Sequence, residues 1–74
     1  MLGDHIRRRR RALGMSVDTL AQRSGIVSVT EVELIEQGAF RAPAVQLLAG
    51  LAKALARTDA GRARLTARLV EMRA

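Results

Sequence analysis

The sequence predicts an all-α protein, and three observations carry that prediction. The apolar residues are mostly Ala, Leu and Val, with Phe40 the single aromatic, a composition that favours helices over strands. They recur at spacings of three and four, the period of a helix face. Serine, glycine and proline then divide the 74 residues into five segments, enough for one small domain over residues 1–74 with a single hydrophobic core.

A first helix is expected over about residues 2–13, with Leu2, Ile6 and Leu13 on a common face. The run Arg7 to Arg11 cannot point one way, because successive helical residues lie about 100° apart. One or two of these arginines must lie near the core, Arg10 foremost, and its spacing from Ile6 suggests a buried carboxylate partner. The rest form either a solvated face or a phosphate-binding one.

The stretch Gly14 to Gly38 reads as two short helices, near 16–24 and 28–37, joined by a glycine turn. Ser16 caps the first by accepting from an amide that its first turn leaves unpaired. Leu20 and Ala21 face inward, and Arg23 sits near the C-terminus, where a cation suits the dipole. Gly25 stops this helix, since glycine enters the left-handed region without steric cost. Ile26 is expected to pack inward and Ser28 to cap the second helix. Val32, Ile35 and Glu36 share one side of it, and Gly38 ends it. Helix, glycine turn, helix with this apolar spacing is a helix-turn-helix motif.

A fourth helix is expected near 43–56, with Pro43 in its first turn and Leu47, Leu48, Leu51, Ala52 and Leu55 as its inward stripe. Phe40 in the preceding loop is read as a core plug. A fifth helix, near 59–73, opens on Asp59 and carries the stripe Leu65, Leu69 and Met72 with Val70 beside it. That stripe either covers the core or serves as a homodimer face.

Composition narrows the function. The chain has no cysteine and one histidine, His5, so no disulfide, thiolate metal site or zinc site is expected, and no cofactor. No apolar run is long enough for a membrane span or a signal peptide, which points to a soluble cytoplasmic protein. No nucleophile–base set or phosphate-cradling glycine loop is present, so an enzyme is not expected. The net charge of +6 suggests a polyanionic partner, but it is unevenly spread. Residues 1–14 carry +4, residues 15–38 carry −3 and residues 39–74 carry +5. The helix-turn-helix is the acidic third of the chain.

Leu2-Gly3, Ile6-Arg7, Arg10, Gly14, Ser16, Leu20-Ala21 and Gly25 fall at the spacings L-G-x-x-I-R-x-x-R-x-x-x-G-x-S-x-x-x-L-A-x-x-x-G. This resembles the opening of the lambda-repressor-like (Cro/C1-type, Xre) helix-turn-helix family. Ile35-Glu36-Gln37-Gly38 resembles its I-E-x-G, Arg41-Ala42-Pro43 its R-x-P, and Leu48 to Leu55 its fourth helix, so about residues 2–56 are covered. The resemblance implies a compact five-helix domain and a structural salt bridge between Arg10 and Glu36. The chain departs from the family in having two residues, Ile26 and Val27, between turn glycine and cap. It also has one extra residue before Arg41, and Val17 where a phosphate-binding glutamine is usual.

The resemblance further implies a small DNA-binding transcriptional regulator, dimeric in many family members. Ser28, Val29, Thr30, Glu31 and Glu33 would face the major groove of double-stranded DNA, with Arg23 and Arg41 near phosphates. Direct readout favours Arg, Lys, Asn or Gln, none of which is among the groove-facing residues, although carboxylates accept from cytosine and Val29 or Thr30 suits a thymine methyl. Val29 and Leu34 beside glutamates equally suit a protein-binding face. The alternative is therefore an adaptor or regulatory module that docks a partner protein on the acidic-apolar helix 28–37. An inert, merely packed outer face is the third reading.

Overall fold

The computed structural model describes residues 1–40 and 42–73. Five helices follow one another: α1 (Leu2–Ala12), α2 (Val17–Ser24), α3 (Val29–Glu36), α4 (Val45–Leu55) and α5 (Asp59–Met72). No strand occurs among the described residues. α4 is central, packing on α2 and on α5, while α3 bridges α2 and α1.

The helix ends follow from side-chain chemistry. Ser16 accepts from the Thr19 amide at the start of α2. Ser28 and Glu31 form a reciprocal capping box on α3, and Thr58 accepts from the Gly61 amide on α5. α2 ends at Gly25, whose φ of 73° lies in the left-handed region. α4 begins later than its proline suggested. Pro43 is buried but precedes the helix, and α4 starts at Val45 after Ala44, which supplies no side-chain cap. The Arg73 guanidinium donates to the Pro43 carbonyl at 3.2 Å, tying the end of α5 to this junction.

The core is built from Leu2 and Ile6 of α1, Met15, Leu20, Ala21, Val27, Val32 and Ile35, joined by Leu48, Leu51, Ala52 and Leu55 of α4 and by Leu65 and Leu69 of α5. Three expectations need correction. Leu13 is not on the buried face: α1 stops at Ala12, so Leu13 leaves the helical register and lies exposed. Ile26 does not pack inward: it is 52% exposed, and Val27 takes the buried position. The turn has two residues between glycine and cap, and only the second can point at the core. Phe40 is half-buried at the core's edge, where it lines a cleft with Leu2, Ile35 and Met72.

Two glycines sit where helices come close. A Cβ on Gly3 would collide with the backbone carbonyl oxygens of Ile35 and Glu36 at the end of α3. A Cβ on Gly50 of α4 would collide with the Ile26 γ-methyl and press on the Ser24 backbone carbonyl oxygen. Gly3→Ala is therefore expected to cost about 1–3 kcal/mol in urea unfolding, because backbone must move. Gly50→Ala is expected to cost less than Gly3→Ala, since the branched Ile26 side chain must change rotamer but the helix gains up to about 1 kcal/mol of propensity.

His5 lies on the α5 side of α1. Its Nε2 is buried without a hydrogen-bond partner. Burial first, then the nearby Arg9, Arg68, Arg8 and N-terminal amine, hold its pKa below the ordinary 6.5. The folded protein thus disfavours the imidazolium relative to the unfolded chain. Stability from this group is complete above pH 6.5 and is lost as pH falls through the folded-state value. Unfolding measured between about pH 5 and 7 is expected to show this loss, and His5→Gln to remove it.

Candidate nucleic-acid interface

α3 is only eight residues long, too short to hold helical shape alone, so its surroundings must fix it. At its N-terminus the Ser28 hydroxyl accepts from the Glu31 amide at 3.1 Å, and the Glu31 carboxylate accepts from the Ser28 amide at 3.0 Å. The turn from α2 is knitted by Ser24, whose buried hydroxyl donates to the Ala21 carbonyl at 2.7 Å and accepts from the Val27 amide at 3.1 Å. Sequence reading missed this role of Ser24. Its signal is a serine directly before the turn glycine, placed to satisfy amides that the left-handed residue strands.

At the C-terminus α3 is held by charge. Glu36 is buried, and Arg10 grips it with two bonds, Nε to one carboxylate oxygen at 2.7 Å and Nη2 to the other at 2.9 Å. A third Arg10 donor reaches the Met15 carbonyl at 2.9 Å. The carboxylate in turn raises the Arg10 pKa against the opposing effect of burial. Arg7 adds a bond to the Glu36 backbone carbonyl at 2.8 Å and a looser ion pair at 3.5 Å. Both arginines meet the negative end of α3, which its dipole favours. Arg7 went unassigned in the sequence, yet Gly3, Arg7 and Arg10 recur at spacings of four and three and share one flank of α1.

What remains outward is small. Ser28, Val29, Thr30 and Glu33 are exposed, as is Leu34 one position further round. Glu31 differs from expectation: it is half-buried and turned back onto its own helix by the capping box, so one of its oxygens is already engaged. Arg23 is exposed at the end of α2, and Arg41 lies outside the described residues. The exposed charge of the α2–α3 unit is Asp18 and Glu33 against Arg23.

The stripe offered as a dimer face divides. Leu65 and Leu69 are 5% and 0% exposed, buried against α4 and the rest of this chain's own core. Only Val70 and Met72 are left partly open, because α5 must use its apolar stripe to close a core this small. Among the described residues no helix is long and apolar enough to cross a membrane, and no cluster of His, Asp and Glu has the makings of a metal site.

Two short helices joined by a glycine turn with its serine lock, the second buried on one side and open on the other, define a helix-turn-helix domain. The chain belongs to the helix-turn-helix domain family, whose sequence model matches residues 1–65. That match spans α1 to α4 and the first half of α5, so the arginine grip on Glu36 lies within the family's domain. No curated protein and no solved structure matches the chain.

Removing Arg10 leaves the buried Glu36 carboxylate with only the looser Arg7 ion pair, and removing Glu36 leaves the largely buried Arg10 guanidinium with only the Met15 carbonyl. Glu36→Ala is expected to cost about 3–5 kcal/mol in urea unfolding, and Arg10→Ala less, because Arg7 still faces the carboxylate. The double variant is expected to cost clearly less than the sum, the mark of a direct interaction.

Proposed function

We propose that this domain is a small DNA-binding transcriptional regulator of the Cro/C1 (Xre) type, acting in the cytoplasm on double-stranded DNA and having no catalytic activity. The observation that carries the reading is the presentation of α3. It is pinned at both ends, buried along Val32, Ile35 and Glu36, and open along Ser28, Val29, Thr30 and Glu33. A short rigid helix with its N-terminal half outward suits entry into a major groove, whose width admits one helix. Thr30 and Val29 then meet thymine methyls, and Glu33 accepts from a cytosine amino group. Arg23 and, from the family resemblance, Arg41 serve phosphates. A pair of domains would address half-sites about 34 Å apart.

A second reading rests on one specific observation. Val29 and Leu34 are 37% and 39% exposed and flank the exposed Glu33 on α3. An apolar and acidic helix face of this kind suits a basic partner protein, and each of its carboxylates opposes the counterion release that drives DNA affinity.

Titration of isotope-labelled protein with a random duplex separates the two. Amide shifts clustered over residues 27–34 are expected for the DNA reader, with Arg23→Ala lowering the salt slope of binding by about one. Absence of shifts on α3 at moderate salt would sink the groove assignment and leave protein docking as the use of this face.

A further inference from the structure

Four further arginines, Arg9, Arg57, Arg64 and Arg68, line clefts beside the far flank of α1. His5, Arg9 and Ala12 recur at spacings of four and three there, on the opposite side of the core-facing Ile6 from Gly3, Arg7 and Arg10. This flank faces α5, where Gly61, Arg64, Leu65 and Arg68 form one stripe. Between the two helices runs a furrow of two adjoining clefts, about 210 and 370 Å³, that share Arg9 and Gly61. Arg64 and Arg68 line one cleft and Arg57 the other, with no carboxylate lining either.

A helix–helix seam of this kind ordinarily alternates charges. Here all four arginines are exposed, and none makes a hydrogen bond or ion pair among the described residues. Arg64 and Arg68 are a like-charged pair one turn apart, which costs stability, and Arg9 confronts them from α1. The repulsion is relieved when an anion enters. Guanidinium forks match phosphate oxygens in pairs, and a row of them along a furrow matches a chain of phosphates better than a single ion. A lipid surface fits poorly, because Leu65 and Leu69 are buried and Leu13, at 36% exposure, is the one large apolar side chain exposed among the residues lining the clefts.

We propose that the α1–α5 furrow, through Arg9, Arg57, Arg64 and Arg68, is a second nucleic-acid site that binds the phosphodiester backbone of duplex DNA independently of α3. It reads no bases. It supplies the electrostatic affinity that the acidic α2–α3 unit lacks, and it stands whether α3 enters a groove or docks a protein. His5 is its internal reporter, since an anion beside Arg9 and Arg68 offsets the charges that now depress the imidazole pKa.

The test uses the full chain and a random 20-base-pair duplex as probe, with binding followed by anisotropy over a salt series and by amide and His5 ring shifts. Wild-type protein is expected to show shifts at Arg9, Gly61 to Arg68 and the His5 ring, with the His5 pKa rising on saturation. Arg64→Gln with Arg68→Gln, both exposed and outside the core, is expected to weaken binding at least 10-fold at low salt and to reduce the salt slope by about two. The paired lysine substitutions are expected to restore the slope. An unchanged slope and an unmoved His5 would overturn the furrow. Shifts confined to residues 27–34 would do so while supporting the α3 reader, whereas furrow shifts with a silent α3 would support the furrow and refute that reader. Equal binding of polyglutamate, or binding of anionic phospholipid vesicles in preference to the duplex, would overturn the assignment to DNA.

Discussion

The buried carboxylate of Glu36 is the point on which this fold turns. A charge removed from water must be met by opposite charge and by donors for its lone pairs, and here Arg10 supplies two bonds and Arg7 an ion pair. Because both arginines sit on α1, the demand of one side chain on α3 sets how α1 crosses it. Gly3 lets the backbones close to the contact that this grip requires. Such a pair contributes direction more than net stability, since desolvation offsets much of the attraction. Its third bond, from Arg10 to the Met15 carbonyl, fastens the α1–α2 loop to the same knot.

Everything that α3 presents depends on that knot and on the serine chemistry at its other end. Eight residues pinned by a capping box and an arginine grip have little freedom to tilt. The outer face is therefore presented without being selected for by its own packing, so Val29, Thr30, Glu33 and Leu34 are open to functional specification. A rigid platform with a variable outward face is how one helix-turn-helix scaffold serves many partners.

Charge is partitioned to match. The arginines that face α3 are consumed in structure, while those on the opposite flank of α1 join the arginines of α5 in a furrow empty of carboxylates. Part of the net charge of +6 is thus concentrated in that furrow, while the arginines on Glu36 are neutralised in the structure. A basic protein and an acidic helix-turn-helix are physically compatible, because affinity for a polyanion need not come from the helix that would read it.

The sequence by itself determined the all-α class, the helix-turn-helix and the caps. These depend on near neighbours in the chain: Ser16 and Ser28 ahead of their helices and the glycine of φ 73° after Ser24, although sequence reading missed the reciprocal use of Glu31 in the second cap. The Arg10–Glu36 partnership was also legible, through a resemblance spanning many fixed positions. Tertiary structure alone decided which of Ile26 and Val27 turned inward, that Leu13 stayed outside, and that Leu65 and Leu69 were spent on the core. It alone set Arg7 on Glu36 and brought Arg9 against Arg64 and Arg68, more than fifty residues away. Periodicity tells which residues share a face of one helix, whereas the partner of that face is fixed by close packing between helices distant in sequence, where one added methyl group is felt.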